Sequence, residues 1–307
     1  MICLKAGKRR RRIFAVVVAG LIATSSVSPA SGIRNGNDET GSPLVMTFEM
    51  GCSAAVVAPH IVLAAAHCLG FDGFEPYSFT VEGELKATLG LKVFDDEKVL
   101  MHQPGVRRNN DKASIRVTHA VVPLAALDRK ANQGPIFDFM ALVVDQPIIS
   151  DSLPIATSEQ ILTLKETREA LFAIGYGLKS PSMANSEYLY PSSSVVKMLS
   201  NGDTNINGWP EYGRYGTDAD FNYVLVNFPP DSGAGNGDSG SPLYAIIDGK
   251  IHYVGAMSNT FCVSATTPLD DPLRSDKTCG DFRGAGYFTA AGYPNVVELA
   301  LALAPSN

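Results

Sequence analysis

The chain predicts an all-β protein on three observations. Short apolar segments of four to seven residues recur at 54–58, 61–66, 139–144, 171–174, 223–226, 243–247 and 251–257. Such lengths suit strands rather than helices. Gly and Pro punctuate the intervals between them, as turns require. Only one late segment, 296–303, reads as a helix, and Ala304-Pro305 ends it. At 307 residues, 45% hydrophobic and 18% charged, the chain suits one large globular domain or two small ones.

Taken in order, residues 1–32 read as a signal peptide. Lys5, Lys8 and Arg9 through Arg12 form a basic region, and an apolar run of 11 residues follows at 13–23. That run is short of the roughly 20 residues a membrane helix needs, and no later run approaches that length. Ala30 and Gly32 offer small residues to a signal peptidase, so cleavage after Gly32 releases Ile33. Cleavage after Ala30 instead leaves the two-residue pro-segment Ser31-Gly32. Arg11-Arg12-Ile13-Phe14 fits a loose twin-arginine pattern, but four consecutive arginines match it easily by accident, and Sec export is favoured. A secreted or periplasmic protein is expected.

The whole chain carries a net charge of −6. Losing residues 1–32 removes six basic and no acidic residues, which takes it to −12. So acidic a chain is not built to bind phosphate backbones or anionic membrane. Cys3 leaves with the leader, and Cys52, Cys68, Cys262 and Cys279 remain. An even count in an exported chain reads as disulfides, with three pairings open. No CxxC pair suggests a metal, and neither a metal nor a cofactor is expected. Asp95-Asp96-Glu97 lacks a ligand-spaced calcium loop and reads as a solvated acidic turn. Residues 201–220, rich in Gly, Asn, Tyr and Asp, read as a long polar loop.

The chemistry lies in two motifs. Ser239 sits in Gly237-Asp238-Ser239-Gly240-Ser241-Pro242, where flanking glycines permit a sharp turn that presents its hydroxyl. A serine needs a base to take its proton, and His67, in Ala64-Ala65-Ala66-His67-Cys68, is the candidate. The base needs a carboxylate to fix its tautomer, and Asp138 opens the apolar run 139–144. Asp145 ends that run like a turn residue, and Asp128 lies in a charged stretch, so neither competes well. His60 follows Pro59 in a hairpin turn and is expected to be structural.

In the order His, Asp, Ser, these motifs resemble the trypsin/chymotrypsin-like serine endopeptidases, over roughly residues 33 to 303. Ile33-Arg34-Asn35-Gly36 resembles the family's mature N-terminus, Gly175-Tyr176-Gly177 its Gly-Trp-Gly, and Gly286-Tyr287-Phe288-Thr289 the strand before its last helix. The resemblance implies two six-stranded antiparallel β-barrels with a C-terminal helix. The barrels would occupy 33–150 and 151–307 and meet near 145–158, where Pro147 and Pro154 lie. Residues 159–171 pass for a helix on composition, whereas the resemblance implies a loop and strand there. It also implies a Cys52–Cys68 disulfide, leaving Cys262 with Cys279.

The resemblance implies His67, Asp138 and Ser239 as the triad and the N–H groups of Gly237 and Ser239 as an oxyanion hole. Asp238 would pair with the new ammonium of Ile33. Asp231, Gly233, Ser258, Thr260 and Gly286 would form the substrate pocket. The chain departs from the family here. Gly233-Ala234-Gly235-Asn236 replaces a shorter segment without its usual cysteine, and six residues back from Ser239 is Gly233, not Asp231. Ser258-Asn259-Thr260 replaces Ser-Trp-Gly, so Thr260 narrows the entrance. The interval of 71 residues from His67 to Asp138 implies an insertion within about 72–135. Asp231 at the pocket floor predicts Arg or Lys before the scissile bond; Gly233 there predicts small or apolar side chains. The expected partners are protein or peptide substrates, and the expected state is a monomer. Two rivals differ in class. A catalytically silent binding protein would normally have lost a triad residue. An α/β-hydrolase esterase would run Ser, Asp, His.

Overall fold

The computed structural model describes residues 33, 36–49, 51–95, 99–105, 115–127, 137–149, 151–177, 191–199, 221–229, 232–235, 237–261 and 284–305. The proposed leader, the acidic turn at 96–97, the 201–220 loop, Asp231, Cys262 and Cys279 lie outside them.

Fifteen strands account for about half of the described chain. They are β1 (Asn37–Asp38), β2 (Val45–Thr47), β3 (Ser53–Ala58), β4 (Ile61–Ala64), β5 (Glu75–Val81), β6 (Glu84–Val93), β7 (Leu100–Met101) and β8 (Ile115–Pro123). β9 (Met140–Val144), β10 (Ala170–Gly175), β11 (Ser192–Met198), β12 (Tyr223–Asn227), β13 (Pro242–Ile247), β14 (Lys250–Phe261) and β15 (Gly284–Thr289) complete the set. Five of the seven apolar segments singled out in the sequence lie wholly within these strands; 61–66 and 139–144 overrun theirs at Ala65-Ala66 and at Phe139. Two hairpins turn on residue pairs with positive φ, Glu82-Gly83 and Asp248-Gly249. That backbone suits the twist of tight two-residue hairpins.

The strands form two antiparallel sheets. In the second, the order β11-β10-β13-β14-β15-β12 returns to β11, so six strands close into a barrel, with β1 attached outside β11. The first runs β2-β3-β4-β9-β8-β6-β5, with β7 on β8. Its ladder does not close. The free edge of β2 is taken not by β5 but by the segment 99–105, which holds the two-residue strand β7: His102 N–H donates to Thr47 O at 2.9 Å and Gly105 N–H to Val45 O at 3.1 Å. Covering an edge this way protects it from foreign strands as closure does. The expected pair of closed barrels is thus met by one closed barrel and one open sheet.

Two helices accompany the sheets. α1 (Ser158–Thr167) carries a capping box: Gln160 N–H donates to Thr157 Oγ1, and Thr157 N–H to Gln160 Oε1. The loop implied by the resemblance gives way to this helix, which ends at Thr167 and not at 171, and two N–H groups at its start find partners in the capping box. The strand expected after it is present as β10. α2 (Pro294–Leu303) starts with Pro at its first position, where a missing N–H does no harm. It packs on β8 and β9 of the first sheet.

Each sheet has its own apolar interior, and a further cluster joins them. It combines Leu63, Phe139 and Val143 of the first sheet with Tyr223, Tyr244 and Phe288 of the second. Burying such side chains against each other, at about 1.5–3 kcal/mol apiece, holds the sheets together. The catalytic candidates lie along this seam. Ile33 and β1 join the second sheet rather than the first: Asn37 and Asp38 pair with Ser193 and Ser192.

Candidate active site

β4 ends at Ala64, and a short 3-10 turn, Ala66–Cys68, presents His67. Cys68 is bound to Cys52 by a disulfide, which ties this turn to the start of β3. Closing a loop of this size contributes about 3 kcal/mol in the chain-entropy view. Cys52, His67 and Cys68 bring possible metal-ligand atoms within 4.8 Å of one another, but the disulfide consumes both thiols.

Asp138 lies two residues before the start of the buried strand β9. Phe137 before it adopts φ 61°, a left-handed conformation costly for a bulky residue, at roughly 1–3 kcal/mol. The carboxylate is fully buried and accepts three hydrogen bonds. His67 N–H reaches Oδ1 at 2.8 Å, and His67 Nδ1 and Ser258 Oγ reach Oδ2 at 2.6 and 2.7 Å. An acceptor-only carboxylate puts the imidazole proton on Nδ1 and leaves Nε2 as an acceptor. Ser258 reaches across from β14, where the ladder slips between Met257 and Asn259. Such a bulge re-aims a side chain. The hydroxyl of Ser258, a pocket-wall candidate on the resemblance, braces Asp138.

The Ser239 turn is built on Gly237 at φ 96° and Gly240 at φ 78°. Gly240 is obligatory for a second reason. A Cβ there would overlap the Ser53 carbonyl and lie 3.1 Å from Ala65 N. This close approach sets the serine turn against the segment that leads into His67. Gly240 N–H donates to Met257 O at 2.7 Å, and Ser239 O accepts from Ser53 N–H at 2.8 Å. Ser239 itself is partly exposed. The backbone N–H groups of Gly237 and Ser239 donate to no acceptor among the described residues. Two uncommitted donors beside a serine hydroxyl are what a developing oxyanion requires.

Asp238 points the other way, into the core. It accepts Gly177 N–H and Gly235 N–H, each at 2.8 Å, and has no ion-pair partner among the described residues. A Cβ on Gly175 or Gly177 would overlap its carboxylate, which explains the Gly175-Tyr176-Gly177 motif. Ile33 is fully buried nearby. Its carbonyl accepts Ser192 Oγ at 2.8 Å, and Ser192 pairs with Gly175, which packs on Asp238.

Burial pushes the Asp238 carboxyl up to about 7, against the two backbone donors that lower it. The ordinary value, near 4, applies when the chain is unfolded. Between these limits the folded chain holds the extra proton, so its stability falls as pH rises from about 4 to about 7 and then levels off. In a chain still joined ahead of Ile33, the penalty above pH 7 is on the order of a few kcal/mol relative to pH 4. Thermal unfolding of that chain against Asp238→Asn at pH 4 and at pH 8 checks this. Asn should gain on the parent at pH 8, whereas a constant difference would contradict the assignment.

Gly233 is buried and Thr260 half-buried. Gly286 pairs with Asn259, and its missing side chain leaves room for the Tyr223 hydroxyl, which donates to Asn259 Oδ1 at 2.7 Å. Strand alternation turns its neighbour Ala285 to the opposite face, into the cluster that holds Ala234 and Tyr287. His60 is structural, with Nδ1 at 3.0 Å from Val144 O. No family model matches the chain, and no curated protein matches it.

Proposed function

We propose that this protein is an exported serine endopeptidase of the trypsin/chymotrypsin type. The observation that carries the reading is the Ser258–Asp138–His67 chain of hydrogen bonds, together with a glycine-flanked serine turn that packs against Ala65 and whose Gly237 and Ser239 N–H groups find no acceptor among the described residues. In this mechanism His67 Nε2 takes the Ser239 proton as Oγ attacks the scissile carbonyl. Asp138 holds the imidazole and stabilises it once charged. The oxyanion accepts from Gly237 and Ser239 N–H. His67 then protonates the leaving amine, and water repeats the sequence to release the acyl group. On this reading the open first sheet is the counterpart of a second barrel. The leader at 1–32 is removed, and the Ile33 ammonium enters to pair with Asp238, offsetting the burial of that carboxylate. Cys262 pairs with Cys279, and the enzyme works as a monomer without a cofactor.

Substrate choice turns on Asp231 against Gly233. An Asp231 carboxylate in the pocket would form a charge-assisted bond with Arg or Lys. Two chromogenic peptides, with Arg or Ala before the scissile bond, test activity and preference together in wild type and Asp231→Ser. A cationic preference that falls at least tenfold in Asp231→Ser assigns the pocket to Asp231. Equal Arg-peptide cleavage in both enzymes assigns the floor to Gly233 and specificity to small or apolar side chains. No cleavage of either peptide, or of a mixed peptide library, contradicts the peptidase reading.

A further inference from the structure

Ser53 opens β3 in the first sheet, directly after Cys52, and is fully buried. It nevertheless meets the serine turn of the second sheet at several points. Its N–H donates to Ser239 O at 2.8 Å. Its Oγ donates to Gly237 O at 2.8 Å and accepts Tyr176 N–H at 2.9 Å. Its carbonyl lies where a side chain on Gly240 would be.

The backbone contacts ask nothing of the side chain, but the hydroxyl bridge does. Among small side chains only a hydroxyl both donates and accepts well, as the Gly237 carbonyl and Tyr176 N–H require. Gly237, at φ 96°, has no side chain to limit its torsions, so its orientation must come from hydrogen bonds. The planar Gly237–Asp238 peptide is held at both ends. Its carbonyl accepts Ser53 Oγ, and its N–H donates to Gly235 O at 3.1 Å. Releasing the carbonyl loosens ψ of Gly237 and φ of Asp238, the torsions of the backbone that joins the Gly237 N–H to the Ser239 N–H.

The geometry points to Ser53 as a positioning residue for the oxyanion site. Its hydroxyl locks Gly237, and its N–H locks Ser239, so one residue of the first sheet fixes both donors carried by the second. Sheet-to-sheet seating is thereby coupled to acyl transfer. This inference rests on the reading of Ser239 as nucleophile.

The test compares full-length processed wild type, Ser53→Ala and Ser53→Thr on a chromogenic peptide and on a peptidyl boronate, which forms a tetrahedral adduct with serine. Misdirected donors should lower kcat by about 10–100-fold in Ser53→Ala while KM stays within about twofold. Boronate affinity should fall by a similar factor. Ser53→Thr, which keeps the hydroxyl, should recover most of the loss. A packing role would lower the melting temperature without separating kcat from KM. Should Ser53→Ala fail to fold, Ser53→Cys, similar in shape but a weak donor, is held to the same criteria. An alanine or cysteine variant with kcat within twofold of wild type overturns the role of Ser53 alone. A wild type that neither cleaves peptides nor reacts with the boronate overturns the peptidase reading with it.

Discussion

Ser239→Ala abolishes peptide hydrolysis, lowering kcat by on the order of 10⁴–10⁶-fold, and leaves the fold intact. Removing the nucleophile leaves only donors and binding to act on the substrate, and triad members act as a unit. Structure should survive because the Ser239 contacts seen here run through its backbone: its carbonyl accepts Ser53 N–H, and the following Gly240 N–H donates to Met257. Steady-state kinetics and thermal unfolding of the purified variant decide it. Turnover within tenfold of wild type would mean that another group attacks the substrate.

Asp138→Asn should lower kcat at neutral pH by on the order of 10⁴-fold, with a smaller change in KM. Asp138 offers acceptors only, and three donors converge on it. An asparagine can keep the bond from His67 N–H through its carbonyl, but its amide then donates toward Nδ1. The imidazole proton moves to Nε2, and the base loses the lone pair it needs for Ser239. Nitrogen NMR of the labelled imidazole reads the tautomer directly. An unchanged Nδ1–H signal together with near wild-type kcat would remove Asp138 from the mechanism.

Much of this architecture was legible in the residues because it rests on local rules. Strand lengths, the Asp248-Gly249 turn and Pro294 at a helix start need no tertiary information. The Thr157-x-x-Gln160 box also announces α1, and the resemblance misled there because it set analogy above a local signal. What stayed hidden depends on register between distant segments. Ser258 reaches Asp138 across 120 positions through a bulge in β14. Ser53 bridges Tyr176 and Gly237 from a different sheet. Glycines 175 and 177 stand out as a motif, but only the buried Asp238 gives the reason for them. Pairing with β12 and β14 likewise decides that Gly286 faces Tyr223 while Ala285 faces the other way.

The central claim is that Ser239 is a nucleophile activated by His67. Incubating the processed protein with a fluorophosphonate probe and locating the adduct by peptide mass spectrometry tests it most directly. A single adduct on the peptide carrying Gly237-Asp238-Ser239-Gly240, formed by wild type and lost in folded His67→Ala, is the predicted result. Labelling at another serine, or labelling of Ser239 at an equal rate without His67, would contradict it.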